Sequence, residues 1–179
     1  GARRIPHASK LAARSAARLE SMPRPHRLTA FAVVAAALGG LTACAGVYPM
    51  EPAPGANDPA CADVIVRLPD TVAELQRRST NAQSTGAWGD PAAVLLYCGI
   101  EPSGPTTDEC VSVNGVDWII DRSNAPLYRF EAYGRSPGLE VVVDSEQVSG
   151  TEVVVALGPV AKLLPQEREC VSLADSLEL

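Results

Sequence analysis

The sequence predicts an α+β domain of two layers, an antiparallel sheet meander with helices packed on one face, stapled by disulfides. Three observations predict it. Asn114-Gly115 lies between the alternating runs Cys110-Val-Ser-Val and Val116-Asp-Trp-Ile-Ile, and Asn-Gly is the preferred pair for a two-residue type I′ hairpin because both positions take positive φ. Helix-spaced apolar residues recur near both ends of the chain beyond residue 60, with strand patterns between them. Four cysteines, Cys61, Cys98, Cys110 and Cys170, are spread through the same stretch with no close pair.

Residues 1–43 are expected to hold an over-extended start and a lipoprotein signal peptide. Leu28 to Leu41 is a 14-residue run without charge, preceded by Arg24, His26 and Arg27, which is a secretory layout. A spanning helix wants about 20 apolar residues, and Gly39-Gly40 and then a Pro-rich tract cut the run short. Leu41-Thr42-Ala43-Cys44 resembles a bacterial lipobox, which implies cleavage before Cys44 and thioether lipidation of its sulfur. An uncleaved anchor is the alternative. Signal n-regions are short, so translation is expected from Met22. Arg3-Arg4 lies too far upstream for a twin-arginine signal, and Ala12 to Leu19 offers a basic amphipathic helix as the alternative reading of the extension.

Charge divides at the same place. Residues 1–43 carry seven basic groups and one acid, whereas residues 44–179 carry 8 basic and 20 acidic groups, a net charge near −12. Phosphate backbones and anionic lipid surfaces repel such a domain, so nucleic acid partners are excluded and contact with the bilayer is expected through the lipid on Cys44 alone. Both histidines, His7 and His26, precede the cut. Triads, Cys-His dyads and His-ligated metals are thereby removed from the mature chain.

Residues 44–60 hold four prolines and two glycines and are expected to form an extended tether to a single domain over residues 61–179. Asp58 can cap a helix opened by Pro59, and Val64, Ile65, Leu68, Val72 and Leu75 carry helical spacing to Arg77-Arg78, with a bend at Pro69. The two arginines suit the negative end of that helix dipole. Ala92 to Ile100 is a continuous apolar run and reads as a buried strand. The hairpin follows, with Val113 opposite Val116 and Val111 opposite Trp118, so that Trp118 joins the core. Leu127 to Tyr133 and Leu139 to Asp144 read as further strands around Ser136-Pro137-Gly138. Ser149 to Glu152 forms a capping-box pattern opening a helix that runs to Leu164 with a kink at Gly158-Pro159.

An exported domain meets an oxidising compartment, and zinc or redox chemistry wants close cysteine pairs. Two disulfides are therefore expected. Cys61 with Cys98 and Cys110 with Cys170 is the favoured arrangement, and Cys98 with Cys110 plus Cys61 with Cys170 is its competitor.

Three segments carry a family likeness: Cys61 to Pro69, Ala87-Trp88-Gly89-Asp90-Pro91 leading into Leu95 to Gly99, and Val113-Asn114-Gly115-Val116-Asp117-Trp118. Together they resemble the actinobacterial domain-of-unknown-function family 3515 over most of residues 61–164. The resemblance implies an exported, membrane-associated or lipoprotein-like protein with no established activity or catalytic residues. Where the family pattern has an Arg before the cysteine of its central strand, this chain has Tyr97.

Trp88 and Asp90 form the candidate binding surface, since a tryptophan on a turn beside a carboxylate can stack on and orient a sugar or peptide; the competing reading makes Trp88 a lid on the core. Asp117 with Asp121 and Asp108 with Glu109 are the carboxylate pairs to weigh for glycan hydrolysis or calcium. No EF-hand spacing occurs, and Lys162, the one lysine beyond residue 43, sits where a helix dipole accounts for it. No cofactor and no metal are expected. The leading expectation is a non-enzymatic accessory or binding module at the outer face of the plasma membrane, contacting a membrane or cell-wall protein. The alternative is a small carboxylate-dependent hydrolase of cell-wall glycan.

Overall fold

The computed structural model describes residues 46–171. The expected signal segment, the expected start at Met22 and the expected lipidation site Cys44 lie outside the described residues. The chain divides into two units, Gly1–Ala43 and Cys44–Leu179, and the fold concerns the second.

Eight strands make one antiparallel sheet: β1 (Thr71–Val72), β2 (Leu75–Arg78), β3 (Thr85–Trp88), β4 (Val94–Ile100), β5 (Cys110–Val113), β6 (Val116–Asp121), β7 (Leu127–Ala132) and β8 (Gly138–Asp144). Two helices, α1 (Pro59–Val66) and α2 (Gly150–Ala161), pack on it. At the centre, Val94, Leu96 and Cys98 of β4 pair with Val143, Val141 and Leu139 of β8. Because side chains alternate along a strand, all six point to one face. Cys61 and Val64 of α1 and Val153, Leu157 and Val160 of α2 join that same core. Burying Leu96, Leu139 and Leu157 contributes about 1.5–3 kcal/mol each. The α+β class, with helices on one face, is the observed one.

The sheet is not a simple meander. Its order is β1-β2-β3-β4-β8-β7-β6-β5, so the chain leaves the centre after Ile100, crosses to the far edge, and returns strand by strand to pair β8 with β4. The physical reason is apolarity: Val94 to Leu96 and Val141 to Val143 are the most hydrophobic strand segments, and pairing them at the centre removes most area from water.

The first helix ends earlier than its spacing predicts. Asp58 caps it, accepting a bond from Ala60 N at 2.8 Å, and Pro59 opens it. It stops at Val66 because Pro69 has no amide to donate and disfavours helix in the residue before it. Val72 and Leu75, three apart, are cross-strand partners around a two-residue turn. Ala73 and Glu74 hold φ of 46° and 66° there, a strained conformation for residues with a Cβ. Replacing Glu74 by Gly is expected to stabilise the domain by about 0.5–1 kcal/mol, read as a higher urea midpoint at unchanged slope.

The Asn114-Gly115 hairpin forms in the register expected, Val113 with Val116 and Val111 with Trp118. Trp118 is fully buried. Ser149 is the N-cap of α2, but its side chain makes no cap bond, so the capping box does not close; Pro159 lies inside the helix.

Of the expected tether, the described residues 46–60 are not free. Tyr48 N donates to Ser79 O at 2.8 Å, Met50 N to Asn81 Oδ1 at 2.7 Å and Gly55 N to Gly99 O at 2.7 Å. Gly99, at φ +95°, admits this approach because it lacks a Cβ, which would lie 2.3 Å from Gly55 C. Prolines spaced along an extended segment still leave amides between them to pair, and these do.

Disulfides join Cys61 to Cys98 and Cys110 to Cys170, with Cα separations of 5.6 and 6.0 Å. The first ties α1 to the central strand and the second ties the C-terminal tail to the far edge strand. Among the described residues no helix is long and apolar enough to cross a membrane.

Candidate functional site

The sheet face away from the helices carries the polar chemistry. Register defines its rows: Tyr97, Glu140, Glu131, Ile119 and Cys110 lie side by side across β4, β8, β7, β6 and β5. Leu95, Val142, Arg129 and Asp121 make the neighbouring row. The loop between β4 and β5 arches over this face through Ser103, Asp108 and Glu109, enclosing a cleft of about 490 Å³ with Asp121, Arg122, Arg129, Glu131 and Glu140.

Glu131 and Glu140 stand directly opposite on adjacent strands, an arrangement that is repulsive unless each is neutralised. Each is held by its own donors. Arg129 grips Glu140 through Nε at 2.9 Å and through Nη2, and Glu140 is buried. Ser103 donates to Glu131 from its amide at 2.7 Å and its hydroxyl at 2.5 Å, pinning the loop to the sheet. Arg122 bridges to Glu109 at the rim and lies over the Tyr128 ring, 5.8 Å from its centre. Hydrogen bonding from Arg122 holds Glu109 below its ordinary carboxylate range, and bonds from Ser123 do the same for Asp121. Burial, then the neighbouring Tyr48 and Glu140, push the Tyr97 hydroxyl upward, so at neutral pH it stays a phenol.

The expected binding pair is taken apart. Trp88 is fully buried, its Nε1 donating to Pro69 O at 3.0 Å, because β3 turns it toward the helix-covered face, where its ring lies over Gly86. It is a core residue and offers no stacking surface. Asp90 stays exposed and receives Arg78 Nη1 at 2.6 Å. Arg77 and Arg78 lie on β2 rather than at a helix end, with Arg77 Nη1 donating to Leu68 O at 3.3 Å.

Of the weighed carboxylate pairs, Asp108 and Glu109 both line the cleft, whereas Asp117 and Asp121 are not brought together. Asp117 and Asp121 are four residues apart on β6, about 13 Å at strand rise, beyond the separations of about 5–9.5 Å that glycosidases use. Asp117 is instead a buried anchor: its Oδ2 accepts from Cys170 N at 2.7 Å, and its carbonyl from Tyr133 N at 2.8 Å. Buried Arg135 stands beside it and donates to Leu164 O at 2.9 Å, closing the tail onto the domain. Asp108 accepts from Thr106 Oγ1 at 2.7 Å. Among the described residues no group of three or more His, Cys, Asp or Glu is placed to hold a metal ion.

The cluster of Ser103, Arg129, Glu131 and Glu140 was not singled out from the sequence. The signal is there: Arg129 and Glu131 alternate with Tyr128 and Phe130, and Glu140 interrupts an otherwise apolar strand.

Fold and site together define a disulfide-stapled, single-sheet α+β domain with a charged open face. A family model described as "Protein of unknown function (DUF3515)" matches residues 27–171, and the chain belongs to that family. No curated protein and no solved structure matches it.

Proposed function

We propose that the chain is an exported cell-envelope lipoprotein, held through acyl chains on Cys44 at the outer face of the plasma membrane, whose folded part is a non-enzymatic module that binds a membrane or cell-wall protein. The carrying observation is cysteine pairing. Four of the five cysteines pair within the domain, which suits an oxidising compartment and leaves Cys44, at the end of Leu41-Thr42-Ala43-Cys44, for acylation.

The charged cleft supports binding over hydrolysis. A glycosidase needs one carboxylic acid raised toward neutrality to protonate its leaving group, whereas Glu109 and Asp121 are shifted the other way, and Glu131 and Glu140 are tied up by Ser103 and Arg129. Alternating fixed charges of this kind give register and selectivity to a protein contact.

Replacing Cys44 by Ala is expected to move the protein from the membrane fraction to the soluble one without changing its thermal midpoint. Intact-mass measurement of the wild-type protein should show a chain beginning at Cys44 with added acyl mass. A wild-type mass without acyl groups, or a Cys44→Ala protein that stays on membranes, defeats the anchor. Turnover of cell-wall glycan that one carboxylate substitution abolishes would favour the hydrolase instead.

A further inference from the structure

A lipid anchor on Cys44 would restrain the domain far more tightly than residues 44–60 suggest by length. Tyr48 is already part of the fold: its amide donates to Ser79 O and its carbonyl accepts from Asn81 N, beside the end of β2. Arg78 stacks on the Tyr48 ring, 5.9 Å from its centre, and reaches back to Gly46 O at 3.1 Å. An anchor on Cys44 would therefore lie no more than four residues from Tyr48. Four residues reach about 14 Å at full extension, against about 60 Å for seventeen.

We propose that the β1–β2 end of the sheet, with Tyr48, Arg78 and the exposed Val47, is the domain's membrane-proximal surface, kept at the phospholipid headgroup layer by this leash. The proposal rests on the acylation of Cys44. The chemistry of the edge fits. Val47 is 57% exposed three residues from the anchor, and Tyr48 is an amphipathic ring of the kind that settles at headgroup level. Arg78, paired with Asp90, holds the Tyr48 ring and Gly46 O and so fixes this segment against β2. Strand order then sets what faces outward. β5 lies six strands from β2, about 29 Å at the usual strand spacing. The far edge, with the Cys110–Cys170 bond and the charged cleft beside it, is turned toward the cell wall, while the bilayer covers the β1–β2 end against protein partners.

The test uses the full-length acylated protein in phosphatidylcholine and phosphatidylglycerol vesicles doped with a headgroup-labelled acceptor lipid. A donor fluorophore is placed through a click-reactive amino acid at Gln76 on β2 or at Ser112 on β5, both exposed. Energy transfer is expected to be at least about twofold stronger from position 76 than from position 112, given the separation of about 29 Å. Inserting about twenty Gly/Ser residues after Ala45, a span of about 25 Å, should abolish that difference. Equal transfer from the two positions with the native leash, on protein whose acyl mass has been verified, overturns the orientation and leaves the anchor standing. A difference that survives the insertion shows that something other than the leash sets the orientation, and overturns it too. Missing acyl mass on Cys44 overturns the anchor reading itself, and this proposal with it.

Discussion

Replacing Cys61 and Cys98 together by Ala is expected to destabilise the domain by about 4 kcal/mol, the chain-entropy value for a closed loop of this length. The two residues are 37 apart in sequence, and both are fully buried between α1 and β4. The thermal midpoint should fall by about 10–20 °C. Differential scanning calorimetry on the double variant measures it. A fall of less than a few degrees would mean that α1 stays docked through Val64, and the segment after it through Leu68, without the bond. The single variants should fare worse than the double one, because each leaves a free thiol able to mispair with Cys110 or Cys170.

Trp88→Ala is expected to cost about 3–5 kcal/mol, the range for emptying a large aromatic from a packed interior. The ring is wholly enclosed, and its Nε1 satisfies the Pro69 carbonyl at the point where α1 gives way to β1. Trp88→Phe should recover most of the packing but leave that carbonyl unpaired, giving an intermediate loss of about 1–3 kcal/mol. Urea unfolding of both variants separates packing from hydrogen bonding. An alanine variant of near wild-type stability with lost partner binding would restore Trp88 as a contact residue.

How far the structure was legible depended on where each element kept its information. The β5–β6 hairpin was readable to the residue because Asn114-Gly115 carries its turn chemistry in its own side chains, φ 51° and 73°. The β1–β2 hairpin makes a similar turn with Ala73-Glu74, which advertise nothing. Its paired Val72 and Leu75 imitate a helical repeat, so helix was the natural reading. β3 hid for a related reason: Thr85-Gly-Ala-Trp is short and has a glycine inside it, and its neighbours supply its burial. The disulfide partners agreed with the favoured pairing, whereas the strand order did not follow sequence order, because it is decided by which distant apolar strands meet at the centre. The same distinction governs the site. Asp90 at the surface was legible from its turn, but the direction Trp88 faces is a property of the sheet. Arg129, Glu131 and Glu140 come together only once β7 and β8 are in register.

The central β4–β8 pairing has a consequence for the birth of the molecule. Cys98 on β4 meets Leu139 on β8 across 41 residues of chain, and the whole β5–β8 return must be made before the middle of the sheet closes. Non-local pairing of this kind slows folding, since the loop must be closed before its contacts repay the entropy. During vectorial synthesis β4 emerges well ahead of β8, with one side able to pair with β3 and the other open. That open edge, Val94 to Leu96, is the segment most exposed to wrong pairing while the chain is incomplete. An arrested chain ending before Gly138 would therefore be sticky in a way the finished domain is not, and a holdase that shields this strand until β8 arrives would raise the yield of folded protein more than one acting on either helix.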